Sequence, residues 1–71
     1  MKSDIREELQ SALSELGHLF PDWRYGQLIA NVATSARGPE VESIWDSEDE
    51  ELLEAARRLI ERNRSREQLP A

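Results

Sequence analysis

Apolar residues recur every three or four positions in three stretches of this chain, and proline or glycine separates one stretch from the next. This period is that of an amphipathic α-helix that turns one side towards a core. Pro21, and Gly38 followed by Pro39, are residues at which helices end. The pattern predicts an all-α fold of three helices, over about residues 4–20, 22–37 and 47–63.

Side chains that can cap a helix stand where each predicted helix begins. Asp4 with Glu7, and Ser47 with Glu50, have the spacing of a capping box, in which two side chains satisfy free backbone amides of the first turn. Asp22 is a suitable N-cap for the second helix. The stripes of the first and third helices predict core positions, namely Ile5, Leu9, Ala12, Leu13, Leu16, Leu19, Phe20, Leu52, Leu53, Ala56, Leu59 and Ile60.

The second predicted helix is apolar over more than half of its circumference. Its apolar residues are Trp23, Tyr25, Gly26, Leu28, Ile29, Ala30, Val32, Ala33 and Ala36. A helix this apolar is normally packed on two sides, so we expect it to be the central helix. Gly26, Ala30 and Ala33 would form a smooth ridge that another backbone approaches closely.

The chain has 71 residues and no cysteine, which predicts one small domain over residues 1–71 without disulfides or thiolate metal sites. We expect order over about residues 3–63 and a frayed tail over 64–71. Small domains of this kind gain support from oligomerisation or from a partner. Residues 39–46 contain Val41, Ile44 and Trp45, and we expect this connection to fold back onto the helices as a short extended segment.

One candidate site is a polar stripe on the second helix. Gln27 and Asn31 are amides one turn apart, and Arg24 precedes them. Paired amides can bind a partner through hydrogen bonds, although a solvated helix face has the same appearance. With Trp23 and Tyr25, these residues form the predicted partner-binding set.

A second candidate is an acidic block with no basic residue in it. Its members are Glu40, Glu42, Asp46, Glu48, Asp49, Glu50, Glu51 and Glu54. The block could serve helix capping and solubility, or it could dock a basic partner. Its spacing does not match a calcium-binding loop, and we predict no metal.

Enzymatic function is not expected, because no nucleophile, base or metal constellation surrounds the single histidine, His18. No cofactor is expected either. The net charge of −6 disfavours nucleic acid as a partner, although a basic end of the chain could contact phosphates through Arg57, Arg58, Arg62, Arg64 and Arg66. No apolar run is long enough to span a bilayer, and the first residues do not have the pattern of a secretory signal, so we expect a cytoplasmic protein.

Two blocks of the sequence, PDWRYGQL at residues 21–28 and WDSEDEELL at residues 45–53, resemble a group of short bacterial proteins. The resemblance implies a bacterial source and a standalone domain, and it implies no activity. The positions of the blocks suggest that Arg24 forms an ion pair with Asp46 or Asp49 and ties the connection to the second helix.

These observations favour a small protein-protein interaction module that acts through helix faces, as a homodimer or with a second protein. The alternative is an acidic inhibitor or antitoxin-like subunit that docks on a basic, nucleic-acid-facing surface of its partner.

Overall fold

The structure of this protein is a computed structural model that describes residues 2–68, with side chains for residues 4–65. It contains four helices, α1 (Lys2–Leu19), α2 (Tyr25–Arg37), α3 (Glu42–Asp46) and α4 (Asp49–Gln68). No strand occurs among the described residues, so the prediction of an all-α fold is confirmed. The predicted third helix corresponds to α4.

Three long helices surround one hydrophobic core, and the largest interface lies between α1 and α4. The side chains buried in this core are Leu9, Ala12, Leu16, Leu28, Val32, Leu53, Ala55, Ala56 and Ile60. All except Ala55 belong to the predicted apolar stripes. Ala55 extends the buried face of α4 by one residue beyond the predicted stripe.

Ion pairs show how the long helices are oriented. Near the start of α1, Arg6 binds Asp49 at the start of α4. Further along both helices, Glu15 binds Arg64, so α1 and α4 run in the same direction. Arg37, which ends α2, binds the first turn of α4, so α2 runs in the opposite direction.

Helix α2 contacts each of the other three helices, as expected of a central element. Leu28 and Val32 lie in the core. Ala33 is equally buried but lies outside that cluster, and we infer that α3 covers it. Most of the apolar face of α2 is therefore covered within one chain. The predicted ridge is wrong at Gly26, which is exposed, and a methyl group added at its Cα would have no packing partner within 4 Å.

The first two helices do not begin where the predicted caps placed them. Helix α1 starts at Lys2, so Asp4 lies in its first turn rather than at its cap. Residues 20–23 form a turn in which the amide of Trp23 donates to the carbonyl of Phe20 at 3.0 Å. Asp22 lies inside this turn, and α2 begins only after it.

The N-terminal cap of α4 lies one residue later than predicted. The backbone amide of Glu48 donates to Glu51 Oε1 at 2.9 Å, and the helix starts at Asp49. Ser47 instead donates its hydroxyl to the carbonyl of Ser43 at 2.6 Å and closes α3. At its other end α4 continues to Gln68, beyond the predicted onset of a frayed tail, and residues 69–71 lie outside the described part of the chain.

The connection before α4 differs most from the prediction. Residues 42–46 form a helix rather than an extended segment, and their apolar side chains are not folded back onto the core. This helix therefore presents apolar side chains to solvent.

Candidate functional site

Helix α3 is amphipathic, but its apolar side faces solvent. At about 100° per residue, Val41, Ile44 and Trp45 fall on one side of the helix. Ser43 falls on the opposite side and is buried, with 6% of its surface exposed. We call Val41, Ile44 and Trp45 the α3 patch.

The exposure of the α3 patch is large for residues of this type. Trp45 is 83% exposed, Val41 71% and Ile44 47%. Single exposed apolar residues are ordinary on a protein surface. Three on one face of one short helix form a contiguous apolar surface, which is typical of an interaction site.

Local hydrogen bonds form α3 and close its last turn. The amides of Ser43 and Ile44 donate to the carbonyls of Glu40 and Val41, at 3.0 and 3.1 Å. The hydroxyl and the amide of Ser47 both donate to the carbonyl of Ser43. Because serine is small, α3 can lie close to α2 with this side inward, and the larger apolar side chains are left outside.

Carboxylates stand on both sides of the α3 patch. Glu42 and Asp46 flank it on one side of the helix. Glu40 precedes the helix on the other side, and its carboxylate extends towards Gly38. All three are exposed, and none has an ion-pair partner among the described residues. We call these three residues the acidic rim.

The rest of the predicted acidic block serves the fold in part. Asp49 accepts from Arg6 at 2.7 Å. Glu54 binds Arg58 one turn later on the same helix at 3.4 Å. Glu51 caps α4 and also binds Arg37, whereas Glu48 and Glu50 are exposed and form no ion pair among the described residues.

Glu51 joins the end of α2 to the start of α4. Its carboxylate accepts the backbone amide of Glu48 and three hydrogen bonds from Arg37, at 3.1 to 3.2 Å. The amide of Glu48, and secondly the guanidinium of Arg37, lower the pKa of Glu51 below its ordinary value. The same contact raises the pKa of Arg37. The Arg37–Glu51 pair thus links the end of α2 to the first turn of α4, the two helices that α3 connects.

Tyr25 extends the exposed apolar surface onto α2. It is the first residue of α2 and is 68% exposed, although it belongs to the apolar side of that helix. Ile29 follows one turn later and is half-buried, and the buried Ala33 comes after another turn. An apolar stripe therefore runs along α2 towards the position that α3 covers.

The predicted partner-binding residues do not form one surface with a single role. Trp23 stacks on Phe20 with ring centroids 4.2 Å apart and packs against the core. Gln27 accepts the backbone amide of Arg24 at 2.9 Å and thereby caps α2. Asn31 is exposed, on the side of α2 away from Ala33.

The predicted ion pair of Arg24 is wrong, because the described residues include no contact between Arg24 and Asp46 or Asp49. Asp49 is bound by Arg6 instead. Arg24 is exposed. The directions of the helices explain the difference, since α2 and α4 are antiparallel and their first residues lie at opposite ends.

Arginines of α4 bind acids of their own chain. Arg57 binds Glu8 on α1, and Arg64 binds Glu15 at 3.2 Å. Arg58, besides its contact with Glu54, donates to the carbonyl of Ser35 at 3.2 Å. Because Arg57, Arg58 and Arg64 are bound within the chain, less positive surface is left at these positions for binding phosphate.

Several clefts lie on the described surface. One cleft between α1 and α4 is lined by acids of α1 and by Arg57. Another lies beside the stacked Phe20 and Trp23 and next to Arg62. His18 donates from Nδ1 to the carbonyl of Ser14 at 2.8 Å, which is a local contact within α1.

Neither a metal cluster nor a membrane span occurs in the described part of the chain. No group of three or more histidine, aspartate or glutamate side chains among the described residues is arranged to hold a metal ion. Likewise, none of the helices in residues 2–68 combines the length and the apolar character that a membrane span requires.

Comparison with known proteins adds no relative. The chain matches no protein-family model, and it shows no significant similarity to a curated protein or to a solved structure. Its function is therefore inferred from the residues and their geometry.

The sequence interpretation missed the α3 patch as a surface. A signal was present, because Val41 stands between Glu40 and Glu42 and the pair Ile44 and Trp45 is followed by Asp46. Apolar residues that alternate with acids over so short a stretch are difficult to bury, since burial would take charged neighbours out of water.

Proposed function

We propose that this protein is a small, non-catalytic, cytoplasmic protein-protein interaction module and that the α3 patch is its contact surface. The observation that carries the proposal is the orientation of α3, with Trp45 83% exposed and Ser43 buried beneath it. A chain of 71 residues has few large apolar side chains with which to build a core. Leaving three of them outside is a cost to folding that a binding function explains.

Trp45 is the expected energetic centre of this surface. Tryptophan is enriched among the residues that dominate binding at protein interfaces, because it covers a large apolar area with little loss of side-chain freedom. Val41 and Ile44 lie beside it and would exclude water from the contact. The predicted stripe of Arg24, Gln27 and Asn31 is the rival surface.

The homodimer predicted from the sequence is a competing form of the same proposal. Its basis is the large apolar face of α2, yet Leu28, Val32 and Ala33 are buried within one chain. An apolar homodimer contact would therefore use the α3 patch or Tyr25, which are the large apolar side chains exposed among the described residues. Light scattering on a size-exclusion peak, at low and at high salt, measures the mass directly, and a dimer that persists at high salt would support apolar self-association.

Site-specific photo-crosslinking in a bacterial host tests the contact surface. A benzophenone amino acid replaces Ile44, which leaves Trp45 intact, and the matched control places it at Asn31 on the rival surface. We expect a defined adduct from position 44 that disappears when Trp45→Ala is added.

Crosslinking from the control position can also give results that contradict the proposal. An adduct from position 31 but not from position 44 would assign the contact to the polar stripe of α2. An adduct from position 44 that persists with Trp45→Ala would show that the α3 patch is merely near the contact.

A further inference from the structure

The charges around the α3 patch indicate what kind of partner it accepts. When the helical wheel of α3 is extended back to residue 40, the apolar arc lies between Glu40 on one side and Glu42 and Asp46 on the other. The complement of such a surface is an apolar stripe that is flanked on both sides by positive charges. A basic amphipathic helix carries this arrangement, with Lys or Arg bordering its apolar face.

Resting on the proposed function, we propose that the partner presents a basic amphipathic helix, which packs its apolar stripe on Trp45 and Ile44 and pairs its cations with the acidic rim. On α2, Tyr25 and Ile29 lie on the same side of the helix as Ala33, the side that faces α3 further along. These two residues would extend the apolar contact of the partner helix beyond α3 itself.

A second copy of this chain fits the α3 patch less well. In a two-fold symmetric dimer the same surface meets itself, so each rim of three carboxylates would face an identical rim. The whole chain adds to this repulsion, because its net charge is −6. Like charges brought together across an interface disfavour the contact.

Free carboxylates make the rim available to a partner. Three acids outside the rim, Asp49, Glu51 and Glu54, are already bound by arginines of the same chain. Those of the rim form no ion pair among the described residues, so a docking cation would not have to break an existing one. Asp46 does lie near enough to Arg37 to help raise the pKa of that arginine, whereas Glu40 and Glu42 have no such neighbour among the causes of its shift.

A short helical peptide of leucine and lysine, with all leucines on one face, is a defined probe for this proposal. Its binding to the whole protein is measured by the fluorescence anisotropy of a labelled peptide at increasing salt. We expect binding that weakens steeply with salt. Trp45→Ala should weaken it by about tenfold or more, the loss expected at an interface hot spot, and Asn31→Ala should leave it unchanged.

Two comparisons separate this mode of binding from simple charge attraction. The double variant Glu40→Gln/Glu42→Gln removes two charges from the rim, and Glu7→Gln/Asp22→Asn removes two exposed charges elsewhere. We expect the first to flatten the salt dependence more than the second. A scrambled peptide of the same composition, without a one-sided leucine stripe, should bind more weakly.

The proposal is overturned if the scrambled peptide binds as well as the amphipathic one, or if both double variants have the same effect. It is also overturned if the amphipathic peptide does not bind. In each case a crosslinked adduct at position 44 that depends on Trp45 would still support the proposed function, with a partner of another kind. If the amphipathic peptide does not bind and no Trp45-dependent adduct forms at position 44, both proposals are refuted.

Discussion

Replacing Trp45 by alanine should change the stability of the folded protein very little. Only about one-sixth of this residue is covered, because it is 83% exposed. Full burial of a large apolar side chain stabilises by about 1.5–3 kcal/mol, so the covered part of Trp45 corresponds to about 0.5 kcal/mol or less. Alanine is also the better helix former, which offsets part of this small loss.

The matched comparison is Leu28→Ala, at a residue that is 1% exposed. Truncation of a buried leucine costs about 2–5 kcal/mol, since a cavity is left in the core. In a domain of this size, 1 kcal/mol corresponds to a shift of about 4–8 °C in the melting temperature. Thermal and urea unfolding followed by circular dichroism should separate the two variants clearly. A loss of about 2 kcal/mol or more for Trp45→Ala would refute the reasoning, because it would mean that Trp45 is packed against the fold.

Three further predictions concern the backbone, the ion pairs and pH. Gly26→Ala should raise the free energy of unfolding by up to about 1 kcal/mol, because the site is helical and open. Gly38→Ala should lower the free energy of unfolding, because Gly38 has a φ of +119°. Urea titration of both variants tests these opposite signs. Arg24→Ala should leave the thermal midpoint unchanged, whereas a clear drop would reveal an ion pair that the structure lacks. The pKa of Glu51 is lowered by a capping backbone amide and by Arg37. The stabilisation from this carboxylate is therefore present above its ordinary pKa of 4.5 and is lost as the pH falls through the lowered value. Urea titration across this pH range should show a smaller pH dependence of the unfolding free energy in Glu51→Gln than in the unchanged protein, and an equal dependence would contradict the assignment.

Helical periodicity identified most of this fold. The stripes that contain Leu9, Leu16, Leu53 and Ile60 are buried as predicted, because apolar side chains at this spacing share one face and can be removed from water together. Helix ends were harder to predict. Several side chains near each end can cap, and the structure of the adjoining turn, such as the one in which Trp23 stacks on Phe20, shifts the first residue of the helix.

Composition predicted the wrong orientation for α3, although the alternation of its apolar residues with acids is a signal of exposure. Val41, Ile44 and Trp45 are apolar enough to suggest burial, and the prediction placed them against the core. Their side of α3 is outside because Ser43 occupies the inward position, where a small side chain permits close approach to α2. A serine among apolar residues carries no signal of this kind unless the neighbouring helix is already placed.

The candidate site was predicted only in its charge. The acidic block was recognised, but sequence alone did not distinguish Glu51, which binds Arg37, from Glu42, which is exposed without a cation beside it. That distinction depends on which arginines lie opposite, and these come from α1 and α2. The amide stripe of Gln27 and Asn31 remains a prediction as a partner surface.

The central claim is that Trp45 is open to solvent in the isolated protein, and its fluorescence tests this most directly. A Trp23→Phe variant preserves the aromatic stacking at position 23 and leaves Trp45 as the single tryptophan. We predict red-shifted emission that acrylamide quenches almost as efficiently as a free tryptophan derivative, at every protein concentration. Blue-shifted, protected emission that persists on dilution would show that α3 turns its apolar face inward, and protection that disappears on dilution would show that a second copy covers it.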